Sequence, residues 1–117
     1  MAIDHLTVPV RDYEAAKRFY ERALAPLGFV VLLDWPDKRR TYLGLPGRPS
    51  SLWLVESLSG GGLDFCLAAP DPDAVAAFHA AALAAGGRSN GDGFGVFDLD
   101  GNSLEAVYRA EPALRAA

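Results

Sequence analysis

A chain of 117 residues that is 50% hydrophobic and 22% charged has enough apolar material for one folded domain and too much to remain disordered. Its formal net charge of -4 argues against a nucleic-acid partner, and its single cysteine rules out an internal disulfide. No apolar run approaches the roughly 18 residues of a membrane span, and the first residues lack the pattern of a secretion signal, so no membrane contact and a cytoplasmic setting are expected.

Residues 2–9, "AIDHLTVP", predict a strand, with Leu6, Val8 and Val10 on one face and His5 and Thr7 on the other. Asp12 is a good N-cap for the helix "YEAAKRFYERAL" (13–24), in which Tyr13, Ala16, Tyr20, Ala23 and Leu24 recur at helical spacing. Pro26 and Gly28 end it. "FVVLLDW", "RRTYLGL" and "SLWLVES" predict three further strands, separated by the turn "PDK" and the loop "PGRPS". The basic run "DKRR" (37–40) is expected on a solvated edge strand rather than at a phosphate site.

A flexible "SGGG" (59–62) then leads into a strand, "LDFCLAA", and a helix capped by Asp71 with Pro72 at its first position and Gly86–Gly87 at its exit. Two closing strands, "FGVFDLD" and "SLEAVYR", are joined around "DGN", a hairpin signal. The first half thus reads β-α-β-β-β, and the second repeats that order with one strand fewer. Shifted by 59 residues, Asp12 falls on Asp71, Phe19 on Phe78, Leu24 on Leu83 and Gly28 on Gly87. The same shift places His5 on Asp64.

Each half therefore begins with a strand bearing a polar, ligand-type residue (His5, Asp64) and ends with a strand bearing a carboxylate (Glu56, Glu105). Packed about a pseudo-two-fold axis, these four can converge on one sheet face, beside Thr7 and Cys66. One imidazole with two or three carboxylates would suit Mn, Fe(II), Ni, Co or Zn, acting as a Lewis acid on a substrate oxygen. The plainer alternatives are a hydrogen-bonded His5, a rim carboxylate at Glu105, a solvated Glu56 and a surface His79. Other chemistries fail: "SGGGLD" is no phosphate loop, "GDGFG" opens no helix, and there is no nucleophile elbow.

The stretch "IDHLTVPVRDYEAAKRFYERALAPLGF" (3–29) and the hairpin "DLDGNSLEAVY" (98–108) resemble the vicinal oxygen chelate superfamily. That group includes glyoxalase I, bleomycin-resistance proteins, extradiol dioxygenases and fosfomycin-resistance enzymes. The resemblance spans essentially the whole chain. It implies a single α+β domain over 1–117, built from two β-α-β-β-β modules (about 2–57 and 62–109). Helices would lie outside an incomplete curved sheet, with the second module shortened across "RSNGDG" (88–93).

It also implies a divalent metal held by His5, by Glu105 (also the catalytic carboxylate), by Asp64 where the family usually has His, and by Glu56 on the fourth strand. A homodimer and a small-molecule substrate follow. Two function classes are expected. One is a metal-dependent lyase or dioxygenase acting on a small oxygenated substrate, with Thr7, Tyr42, Trp53 and Cys66 lining its pocket. The other is a metal-free drug binder with an aromatic, acidic groove drawn from Trp35, Tyr42, Trp53 and Phe94.

Overall fold

The structure is a computed structural model that describes residues 3–91 and 93–110. In chain order its elements are β1 (Leu6–Val10), α1 (Tyr13–Leu24), β2 (Val30–Trp35), β3 (Arg40–Gly44), β4 (Leu52–Glu56), β5 (Asp64–Ala68), α2 (Pro72–Ala84), β6 (Arg88–Ser89), β7 (Val96–Phe97) and β8 (Ser103–Val107). The incomplete sheet is divided into two, one per module, with the same strand order: β1-β4-β3-β2 and β5-β8-β7-β6. In each, the first and last strands of the module pair in parallel across the helical crossover. As the sequence implied, the second module is the shorter, with β6 and β7 only two residues each.

Strand β1 begins at Leu6, later than the hydrophobic pattern suggests, because its partner β4 starts opposite Leu6. Pro9 sits inside β1 without penalty because β1 is an edge strand. The run 37–40 is not an edge strand. Pro36–Lys38 form a 3-10 turn, Arg39 takes a left-handed conformation (φ 54°), and Arg40 opens β3, which lies between β2 and β4. The parallel β1–β4 pair forces this, leaving β2 as the outer strand.

Both helices start as their caps dictate: Asp12 accepts from the Ala15 N–H (3.1 Å) and Asp71 from the Ala74 N–H (2.8 Å). The repeat holds through the helix middles, where Phe19 and Phe78 are both fully buried. It fails at the exits. Leu24 is buried while its counterpart Leu83 is 39% exposed, and the left-handed glycine after α2 is Gly86 (φ +111°), one residue before the expected Gly87. Gly87 is required for another reason: a Cβ there would lie 2.9 Å from the Phe97 carbonyl oxygen.

The helices pack on each other and on one face of the strands, joining Val8, Val10, Leu43, Leu52 and Leu54 to Phe78, Val96 and Leu104 in one core. A buried polar node fastens the modules together. The Tyr20 hydroxyl of α1 donates to Asp98 (2.6 Å). Asp98 also accepts from the backbone N–H groups of Asp100 and Asn102 and from the Asn102 side chain. Asn102 in turn accepts from the Leu63 N–H (3.0 Å), and Asp100 from the Arg11 N–H (2.9 Å). Gly60 and Gly61 lie against this turn; a Cβ on Gly61 would come 2.5 Å from the Asp100 carbonyl oxygen. The two most recognisable stretches of the sequence, "RFY" and "DLDGN", are therefore bonded to each other. Their joint role is to hold α1 to the closing hairpin.

Candidate functional site

The helices cover one face of each sheet and leave the other open. On the open face of the first sheet stand Thr7 of β1, Trp53 and Val55 of β4, Tyr42 and Arg40 of β3, and Leu33 and Trp35 of β2, as the register of the strands requires. His5, just before β1, joins them. The His5 and Trp53 rings are stacked with centroids 3.4 Å apart, and Trp53 and Tyr42 are stacked at 4.1 Å. Trp35 meets Tyr42 edge-on at 5.1 Å. Trp53 is thus sandwiched in a row that runs across the strands. Rings stacked along such a row stand on edge and turn their rims, not their faces, to the open side; Tyr42 is only 6% exposed, so most of the accessible rim belongs to the half-buried His5 and Trp53.

Hydrogen bonds hold the row: His5 Nδ1 lies 2.8 Å from an Asp4 carboxylate oxygen, and the Trp53 indole N–H donates to Ser50 (3.0 Å). Arg40 lies at the far end, with Nη1 3.4 Å from the Tyr42 hydroxyl. The face is aromatic, as one expectation had it, but not acidic, because the carboxylates of β2 and β4 point the other way. Asp34 takes the side of Thr41, toward α1, where it bonds Tyr13 and Lys17. Arg40 and the stacking of His5 were missed from sequence. Both follow from cross-strand register, which a period of two within one strand does not supply.

The open face of the second sheet carries Asp64, Cys66, Ser103 and Glu105, with Cys66 Sγ 3.9 Å from a Glu105 carboxylate oxygen. Burial pushes the Cys66 thiol up, and the charges of Glu105 and Asp64 push it further. Register then settles which residues correspond. Thr7 lies opposite Trp53 in the first sheet as Cys66 lies opposite Glu105 in the second. The first-module counterpart of Glu105 is therefore Trp53, not Glu56.

Glu56 is committed elsewhere. It accepts from the Arg39 guanidinium (2.9–3.2 Å) and from the Tyr13 N–H at the start of α1 (2.9 Å). Arg39, and after it the Tyr13 N–H, hold its carboxyl below the usual glutamate range. Among the described residues no three of His, Cys, Asp or Glu are placed to hold a metal ion. The expected convergence of His5, Glu56, Asp64 and Glu105 does not form within one chain, because His5 lies with one sheet, Asp64 and Glu105 lie on the other, and Glu56 faces the helix. Phe94 also stands apart, edge-on to His79 of α2 at 5.5 Å. His79 itself is half-buried rather than on the surface, its Nδ1 enclosed without a hydrogen-bond partner among the described residues.

An open groove of about 350 Å³ runs along α1, lined by Tyr13, Lys17, Asp34 and Pro36 among others. Three of its polar groups are bonded to one another: the Tyr13 hydroxyl and the Lys17 ammonium both donate to Asp34. Burial, with the Asp34 hydrogen bond, pushes the Tyr13 phenol up to about 12. Burial also opposes ionisation of Asp34, but the Lys17 and Tyr13 hydrogen bonds outweigh it and its carboxyl is lowered. None of the site residues expected from sequence lines this groove. No described helix is long and apolar enough to cross a membrane.

Solved structures share this architecture. A glyoxalase/bleomycin resistance protein from Albidiferax ferrireducens T118 is 28% identical, with a TM-score of 0.79 over 93% of this chain and 99% of its own. A lactoylglutathione lyase from Agrobacterium tumefaciens is 21% identical (TM-score 0.65, 92% of each chain). TnmS3, an antibiotic binding protein from Streptomyces sp. CB03234, is 24% identical (TM-score 0.63, 94% of this chain and 96% of its own). No curated protein matches the chain. The sequence pattern of one family fits residues 2–110, nearly the whole length, and the chain belongs to that family, the Glyoxalase/Bleomycin resistance protein/Dioxygenase superfamily.

Proposed function

We propose that this protein binds a flat, unsaturated small molecule on the open face of its first sheet. The observation that carries the reading is the row His5–Trp53–Tyr42, flanked by Trp35. Aromatic rims carry partial positive charge, and a conjugated ring laid flat across them makes edge-to-face contacts along its whole length. In the closing strand of this module an aromatic residue, Trp53, occupies the place that Glu105 holds in the other, so the first face is built for contact area rather than for ligating an ion. The family resemblance to an antibiotic binding protein agrees with this. Leu33 and Trp35 are 49% and 41% exposed on this face, and a homodimer that roofs it would turn an open surface into an enclosed groove.

The test is a titration of the neutral probe naphthalene-1-carboxamide followed by quenching of the two tryptophans. Wild type should bind, and Tyr42→Ala or Trp53→Ala should lose at least about tenfold in affinity, as expected for a lost stacking contact plus its buried area. Equal affinity in wild type and both variants refutes the platform.

A second reading, a metal-dependent lyase or dioxygenase, draws on Asp64 and Glu105 sharing one open face. Among the described residues of one chain, no three such donors are placed to hold a metal. The reading therefore requires a dimer in which His5 of one protomer meets Asp64 and Glu105 of its partner. Calorimetric titration with Mn, Fe, Co, Ni and Zn tests it. Uptake that Glu105→Gln abolishes favours it, and no uptake at millimolar ion rejects it.

A further inference from the structure

We infer that the molecule bound on this face is an anion, a flat conjugated carboxylate or equivalent oxyanion whose charged end meets Arg40. The inference rests on the platform reading above and adds the chemistry of the ligand. Three independent observations carry it.

The first is charge. Of the strand residues on the open face of the first sheet, Arg40 alone bears a formal charge, and no carboxylate of the described residues lies within salt-bridge distance of it. Two nearby cations off the strands are committed to carboxylates: Lys17 of α1 to Asp34, and Arg39 of the turn before β3 to Glu56.

The second is hydrogen bonding. Among the described residues Arg40 makes one long bond, 3.4 Å, to the Tyr42 hydroxyl, and its Nε is enclosed with no acceptor. A guanidinium presents five N–H donors in a planar fork, and leaving them unpaired in a half-buried position is unfavourable. An oxyanion satisfies the fork in the bidentate manner that favours arginine over lysine.

The third is the ring geometry. A stack standing on edge offers the positive rims of its quadrupoles, and this adds to the field of Arg40 instead of opposing it. A cationic ligand would meet that field with the wrong sign. The other end of the row, where Asp4 holds His5, lies two strands away from Arg40, so the two ends of the face differ in charge.

The experiment uses three probes of nearly one shape: 1-naphthoate, naphthalene-1-carboxamide and 1-naphthylmethylammonium. Each is titrated against wild-type protein, Arg40→Met and Arg40→Lys, with unfolding curves confirming that the variants fold. Wild type should bind the carboxylate about ten- to a hundredfold tighter than the amide, the effect expected of a charge-assisted bidentate contact, and the ammonium weakest. Arg40→Met should bring the carboxylate down to near the amide's affinity while weakening the amide, which offers the fork only a neutral carbonyl, by no more than about threefold; Arg40→Lys should recover only part of the difference.

Equal binding of carboxylate and amide by wild type, or tightest binding of the ammonium, overturns the proposal while the platform stands. So does an Arg40→Met variant that weakens all three probes alike, or one that leaves them alone and instead splits a dimer, since Arg40 then serves packing or a second copy of the chain. Absence of any binding by all three probes up to millimolar concentration refutes the platform and this proposal with it.

Discussion

Replacing Asp98 by Ala should be among the most damaging single changes in this protein, although Asp98 lies outside every candidate site. Its carboxylate receives the Tyr20 hydroxyl, the Asn102 N–H, the Asn102 amide and the Asp100 N–H. Tyr20 and Asn102 are essentially inaccessible to solvent, so three of those four donors lose their acceptor with no water to replace it. Each buried unpaired donor costs about 1–3 kcal/mol, and allowing for one water entering the vacated space, a loss of roughly 4 kcal/mol is expected. That is a large part of the ~5–15 kcal/mol that stabilises a domain of this size. Tyr20→Phe removes one donor and leaves the other three in place, so it should cost about 1–2 kcal/mol. Urea unfolding followed by far-ultraviolet circular dichroism measures both, with an unchanged slope certifying that the change is in stability. The double variant should be less damaged than the sum, by about 1–2 kcal/mol, because the two groups share a bond. Additive effects, or an Asp98→Ala loss below about 1 kcal/mol, would refute the account of this node.

Further expectations follow from the same geometry. Because the Glu56 carboxyl is lowered in the folded state, its contribution to stability is present above pH 4.5 and lost as the pH falls through the depressed value; Glu56→Gln should flatten the acid limb of a stability-against-pH curve, and an unaltered limb would count against the Arg39–Glu56 contact. Gly61→Ala should destabilise by about 2 kcal/mol or more, since a side chain must adopt φ +100° and move the Asp100 carbonyl, and a neutral melting temperature would show the linker does not pack there. The raised Cys66 thiol should react slowly with iodoacetamide at pH 8, and Glu105→Gln should speed it; an unchanged rate would separate the two side chains.

The sequence by itself determined the element order, the two caps and the duplication. Those signals are local: Asp12 and Asp71 need only the N–H three residues on, and the apolar period of α1 needs only its own turn. It also carried family membership, through "RFY" and "DLDGN". Tertiary structure then decided what those motifs do, since the bond from Tyr20 to Asp98 joins residues 78 positions apart and neither stretch alone requires it. The candidate site was decided in the same way. Glu56 looks like the partner of Glu105 when each is read as the acid of a closing strand, but pairing with β1 sets Trp53 opposite Thr7 and turns Glu56 toward Arg39. A strand's own alternation says that two faces exist, and only hydrogen-bonded register against its neighbours says which residues share them. That is why the aromatic row and the cation at its end came into view only with the fold.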